Sequence, residues 1–495
     1  MSRLRALPAP RRLSTAEQIE AVFAHPALYE LAQVIPRPPV GRPPANPAYV
    51  VLAYGVLARL FRSGIRVQAE LAHPTTWRLV HDTVARAAAR LPESLVPRLP
   101  GDRPATFEAF RNARDRYLTA PDLAAELRQR FITGAVRQAH DLGLLDPNGP
   151  GSLSHPDRSR TIYGDGTVVR PLYRPPAARR KTDPRTGETR VVYLDAAGDP
   201  IDAPTRRFDP DVAEYHGHTG SVTGQNFVAL YVRGDAPQQR VVLAVDRVPR
   251  PGQEADTAVE LIKQVHAVAG GGIQAVAYDG AFQGPQIEEI MTRTGLIVIN
   301  KVAAAPQSSE QKQRSGGAKV PRWFPLGVWE HDTDAGACGH TLAAVNGAVS
   351  EIGLDEAGEP VVLVRLDRLQ VKRSRRATGL YHFNVAYRVP CPAGAFTAWI
   401  TPHGEAGDAD HRRAGHVRVV AEGEPEFTKL YGLRNDAESW NSMFKRSLLV
   451  DRAMSLGGAR QLVDVLCFAL LHNATTAHQA TLSRKNRPGL TRTAY

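Results

Sequence analysis

The spacing of apolar and polar positions divides the chain into stretches of different character. Between residues 15 and 145 the pattern predicts helices. Ser14-Thr15-Ala-Glu17 is a capping start for a helix to about Leu31. Further helices are expected over Asn46–Arg62, Val67–Val80, Thr106–Leu118 and Asp122–Leu144. The paired prolines of Arg37-Pro-Pro-Val-Gly-Arg-Pro-Pro mark a linker, because they cannot continue a helix.

From Arg160 the pattern changes to short apolar runs. Thr161-Ile-Tyr-Gly-Asp165-Gly-Thr-Val-Val, Asn226–Val232 and Gln239–Val245 read as three strands. Glu254 to Val268 reads as a helix, with apolar residues at 258, 261, 262, 265 and 268. Gly272–Asp279 is a buried strand, Pro285–Thr294 a short helix and Leu296–Asn300 another buried strand. The order β-β-β-α-β-α-β predicts an α/β fold with a mixed sheet. Residues 303–426 are rich in Gly, Pro, Ser and short alternating runs, which predicts a β-rich insertion. Helix returns through Glu438 and again from about Ala459 to His478.

The expected layout is an N-terminal helical unit over 1–150 and a core over 155–302 and 427–480. The insertion fills 303–426, and residues 481–495 form a basic tail. The N-terminal helices carry interspersed Arg and are read as a DNA-binding unit, against plain packing.

Charge sharpens this picture. Lys and Arg number 62 against 50 acids, a formal charge of +12 with pI near 9.7, which favours a polyanionic partner. Three cysteines in 495 residues exclude a disulfide framework and fit a reducing compartment. The basic start Met1-Ser-Arg-Leu-Arg leads into no apolar segment, and the longest apolar run, around Val465–Leu471, is far shorter than a membrane span. A cytoplasmic, nucleoid-associated protein is expected.

One stretch carries most of the candidate chemistry. Tyr431, Arg434, Glu438 and Lys445 lie at offsets 0, 3, 7 and 14. On one helix these fall at roughly 0, −60, −20 and −40°, a single narrow face. A helix starting only at Asn435 would leave Tyr431 and Arg434 outside that geometry. Asp436, about 160° from Glu438, is expected to face away.

Two other acids stand out. Asp165 lies between glycines inside an apolar strand, a locally unfavourable place. Asp279 ends a strand, where α/β sheets bind ligands. With Glu438 they give three carboxylates separated by 279 − 165 = 114 and 438 − 279 = 159 residues. Such a set suits two divalent cations about 4 Å apart, and Mg²⁺ prefers oxygen donors. Asp246, ending the strand Val-Val-Leu-Ala-Val, is the rival to Asp279.

This order resembles the RNase H-like core of DDE transposases: an Asp in the first strand, one after the fourth, a Glu on a late helix. Tyr431-x2-Arg434-x3-Glu438-x6-Lys445 resembles the Y-R-E-K signature of bacterial insertion-sequence transposases that carry a β-rich insertion before the Glu helix. Asp165-Gly-Thr167 is similar to their first D-x-T element, and Asp279-Gly-Ala-Phe282 to their second-Asp motif. The resemblance covers roughly 160–480.

It implies that Asp165, Asp279 and Glu438 hold two Mg²⁺ ions, with Mn²⁺ able to substitute. It implies that Tyr431, Arg434 and Lys445 contact transposon-end phosphates. It further implies an enzyme that binds terminal inverted repeats, cleaves the element ends and joins 3′-hydroxyls to target DNA as a homodimer on double-stranded DNA. The alternatives are an RNase H-like nuclease without strand transfer and a domesticated, non-catalytic DNA-binding protein.

Remaining polar clusters are weaker. Arg170, Arg174, Arg179, Arg180, Lys181, Arg185 and Arg190 oppose only Asp183 and Glu188, and this loop is read as a DNA-backbone contact. His216-Gly-His218 reads as a polar loop rather than a metal site. Cys338-Gly-His340, Cys391 and His403 include zinc-ligating types, but with no C-x2-C pair the reading is against zinc. Trp323, Trp329 and Trp399 read as packing of a β domain rather than base-stacking platforms.

Overall fold

The computed structural model describes residues 11–36, 44–303, 321–403 and 412–485, apart from 174, 183, 188, 196, 203–206, 218–219, 237–238, 335 and 449. The predicted Pro-rich linker, most of the basic tail, Arg174 and His218 therefore fall wholly or largely outside the described residues. The fold is mixed α/β, as the pattern predicts.

The capping start is present: Ser14 Oγ accepts from the Glu17 N–H, and Glu17 Oε2 accepts from the Ser14 N–H. Two expected helices are each split. Thr15–Ala24 gives way at His25 to Pro26–Ala32, and Gly64–Ala72 gives way at His73 to Pro74–Ala88. Proline excludes the helical conformation from the residue before it, so His25 (ψ 123°) and His73 (ψ 126°) are extended, and each proline starts a new helix. Ala48–Phe61, Phe107–Ala113 and Pro121–Asp141 complete the main helices of this part.

These helices pack on the long C-terminal helix Gly458–Lys485 and on one edge of the main sheet. Arg59 and Asp464 form an ion pair at 3.5 Å with side chains only 3% and 5% exposed, so neither charge is left alone in the core.

The main sheet begins with β1 (Thr161–Val169). A small three-stranded sheet follows, β2 (Ala178–Thr182), β3 (Thr189–Leu194) and β4 (Pro200–Ile201). β5 (Ala213–Gly217), β6 (Gly220–Arg233) and β7 (Arg240–Arg247) return to the main sheet. The helix Glu254–Ala269 leads to β8 (Ala275–Ala277), and Gly284–Thr294 leads to β9 (Ile297–Ile299).

The order across the sheet is β7-β6-β1-β8-β9, with β5 extending the first half of β6. β6 is antiparallel to β1 and β7; β8 is parallel to β1, and β9 to β8. Parallel neighbours need crossovers, which the two helices supply. The edge strand β7 is covered: Asn473 of the C-terminal helix accepts from the Val242 N–H at 2.9 Å and donates to its carbonyl at 2.8 Å.

The β-rich stretch after β9 forms two sheets. One holds β10 (Trp323–Thr333), β11 (Gly336–Val345), β12 (Ala348–Leu354) and β13 (Pro360–Arg365). The other holds β14 (Asp367–Arg375), β15 (Tyr381–Val389) and β16 (Phe396–Ile400). Among the described residues no single helix is long and apolar enough to cross a membrane.

Candidate active site

β1 and β8 pair in parallel, with Tyr163 opposite Ala277. Extended by two residues, that register sets Asp165 level with Asp279, just beyond the end of β8. Neighbouring strands lie about 4.8 Å apart, so the two acids share one end of the sheet. Asp279 leaves its strand in a tight turn, with Oδ1 accepting from the Ala281 N–H at 2.8 Å.

The glycines around Asp165 have a steric cause. A Cβ on Gly164 would lie 2.6 Å from Leu230 and 2.7 Å from the Tyr278 ring. A Cβ on Gly166 would lie 2.3 Å from the carboxylate of Glu254. The Gly-Asp-Gly sequence therefore opens space for a fourth acid that the sequence reading passed over. Glu254 is the first residue of the helix after β7; its Oε2 accepts from Asn226 at 2.7 Å and its Oε1 from the Tyr278 hydroxyl at 3.3 Å. At a helix start, an acid looks like an ordinary partner for the helix dipole, so its pattern carried no site signal.

Glu438 comes from the helix Asn435–Arg446. Ala437, Trp440 and Phe444 bury one face of this helix, Trp440 and Phe444 packing on Phe468 of the C-terminal helix. That packing turns Glu438, Asn441 and Lys445, spaced three and four apart, toward the sheet end. Asn441, a second residue the sequence reading missed, donates to Asp165 Oδ2 at 3.1 Å and to the Gly166 carbonyl at 3.4 Å. Its spacing of three from Glu438 is the signal that could have found it.

Tyr431 and Arg434 do not share this helix. Tyr431 ends a separate helix, Pro425–Tyr431, and Gly432–Arg434 is a 3₁₀ turn. The angular argument thus holds for Glu438 and Lys445 only, and the single face expected for all four residues is corrected. Tighter 3₁₀ winding advances the chain by about 120° per residue and breaks the phase.

Arg434 nevertheless reaches the site, its guanidinium 3.4 Å from Asp165 and 3.5 Å from Glu438. It is largely buried, so it points into the acid cluster rather than out to solvent. Tyr431 stacks on Phe427 and lies under the Lys301 and Arg434 cations.

The electrostatics follow from this crowding. Burial pushes the Asp165 carboxyl up to about 7; Arg434 opposes the rise, while Asp279, Glu254 and Glu438 add to it. Burial also raises Glu254, with Asp279 contributing. Burial lowers Lys445, and the nearby Arg170 adds to that. The rival acid Asp246 pairs with Arg128 at 3.6 Å. Asp436 faces away from the site and pairs with Arg233.

Of the basic loop, Arg179 and Lys181 lie exposed on β2, a strand that also includes Arg180. His216 Nδ1 meets Ser221 Oγ at 2.7 Å. No family model matches the chain, and comparison with curated proteins gives no match.

Proposed function

We propose that this chain is a DDE transposase with an RNase H-like core. It would bind terminal inverted repeats, cleave the element ends and join 3′-hydroxyls to target DNA by phosphoryl transfer. The carrying observation is the convergence of Asp165, Asp279 and Glu438 on one sheet end. A central β1, antiparallel to β6 and parallel to β8, supports the RNase H-like reading.

The donor set fits Mg²⁺. It is all oxygen, and four carboxylates face one guanidinium, so the site holds an excess of negative charge that a divalent cation would relieve. Asp165, Asp279 and Glu438 would hold two ions, with Glu254 beside Asp279. When bound, such ions activate a water or 3′-hydroxyl and stabilise the leaving oxygen.

The chain's own groups orient this site. Asn441 and Arg434 each engage one oxygen of Asp165 and fix its carboxylate plane. Lys445 continues the Glu438 face as a phosphate contact, and Arg179 and Lys181 extend a basic surface for the DNA backbone. A homodimer on DNA in the cytoplasm completes the reading.

The test is strand transfer. Purified protein, Mg²⁺ and a pre-cleaved duplex carrying the sequence that borders the gene are incubated with plasmid, and joined products are expected. Nicking without joining would favour the nuclease. Glu438→Gln should lose both reactions while keeping DNA binding; retained cleavage in Mg²⁺ would refute the role given to Glu438.

A further inference from the structure

A second polar cluster lies in the β-rich insertion, built from residues far apart in sequence. His331 on β10 is paired directly across the hairpin with Cys338 on β11. Directly paired residues share a sheet face, and His340, two residues on, returns to that face. Cys391 arrives from the other sheet, in the turn between β15 and β16, where its carbonyl accepts from the Gly394 N–H. The potential ligand atoms of these four residues all lie within 4.8 Å of one another.

We propose that His331, Cys338, His340 and Cys391 form a structural Zn²⁺ site that ties the two sheets of the insertion together. Two of the six ligand–ligand edges match a tetrahedron around zinc. Zn–S bonds of about 2.3 Å and Zn–N bonds of about 2.0–2.1 Å require edges of about 3.8 Å for S···S and about 3.5 Å for S···N. The observed separations are 3.8 Å for Cys338 Sγ to Cys391 Sγ and 3.5 Å for Cys338 Sγ to His340 Nε2. A disulfide would need about 2.05 Å, and both cysteines are free thiols.

The surroundings fit as well. His340 Nδ1 lies 2.7 Å from Glu351 Oε1. A carboxylate only accepts, so Nδ1 carries the proton and the Nε2 lone pair faces Cys338, the carboxylate–histidine arrangement of metal sites. Among the described residues, the buried His331 Nε2 finds no hydrogen-bond partner. The Phe396 ring stacks on His331 at 4.4 Å and lies 5.2 Å from His340, giving the site an apolar wall.

Four protein donors close the coordination sphere, which makes the site structural. Binding displaces the thiol protons of Cys338 and Cys391 to buffer, and two thiolates balance Zn²⁺ to a neutral centre. His403, grouped with these residues on composition, is not a ligand: its Nε2 accepts from the Phe383 N–H at 3.0 Å. The zinc set is hidden in sequence because Cys391 lies 53 positions from Cys338, and the hairpin pairing of His331 is set by register.

The test is metal content of the full chain, grown with zinc, purified without chelator and measured by elemental mass spectrometry. About one Zn²⁺ per chain is expected. Cys338→Ser and Cys391→Ser should each retain less than about a tenth of that, while His403→Ala and Glu438→Gln retain it in full. A wild-type chain without zinc, or an undiminished Cys391→Ser variant, would overturn the proposal. Because the serine variants could lose their fold, the wild-type chain grown without zinc and with Co²⁺ in its place provides a second readout. Thiolate-to-cobalt charge transfer with tetrahedral d–d bands supports the site. Absence of those bands, or a Cys338–Cys391 disulfide in freshly purified protein, overturns it.

Discussion

Replacing Asp165 with Asn tests the buried acid cluster through stability rather than activity. The Asp165 side chain is 15% exposed, and burial with three nearby acids raises its pKa from 3.8 to about 7. Between those values the folded chain keeps a proton that the unfolded chain has released. Stability therefore falls as pH rises through this window. The full difference corresponds to at most about 4 kcal/mol, at about 1.4 kcal/mol per pH unit. From pH 5 to pH 8 this one group should cost the metal-free protein about 2.5 kcal/mol.

Asn is neutral throughout and removes that slope, so urea unfolding at pH 5, 6, 7 and 8 should show a flatter profile for Asp165→Asn. Added Mg²⁺ should restore wild-type stability at pH 8 more than at pH 5, because only ionised carboxylates bind it, and should help the variant less. Equal losses for both proteins from pH 5 to pH 8 would refute the reasoning.

Gly166→Ala should destabilise the chain by about 1–3 kcal/mol, because its Cβ would strike the Glu254 carboxylate. Adding Glu254→Ala should recover most of that loss in a double-mutant cycle; simple additivity would rule out the clash. Under the proposed function, Lys445→Ala should weaken DNA binding and reduce its salt dependence by about one charge. An unchanged salt slope in a filter-binding titration removes Lys445 from the phosphate contacts. Arg59→Met should cost about 3–5 kcal/mol in thermal or urea unfolding by stranding the buried Asp464 carboxylate, and a loss below about 1 kcal/mol would contradict that burial.

Much of the architecture was legible in local pattern. Apolar periodicity located the strands and helices of the core, because each element must present one apolar face whatever it later packs against. Asp165 and Asp279 stood out for the same reason: a charge in or at the end of an apolar strand conflicts with its surroundings. The helix breaks at Pro26 and Pro74 were equally local, since the restriction acts on the preceding residue, and they show where that signal was underweighted.

Tertiary structure decided what meets what. The register of β1 with β8 brings Asp165 level with Asp279 across 114 residues, and packing of Trp440 and Phe444 aims Glu438 and Asn441 at them. Glu254 enters only because Gly166 leaves room for it, and Arg434 reaches the acids from a 3₁₀ turn rather than along a shared helix face. The His331–Cys391 cluster depends on two sheets meeting. Side-chain direction within an element follows from short-range geometry, which sequence encodes directly. Contact between elements follows from how buried surfaces fit over long separations, and no local spacing records that fit.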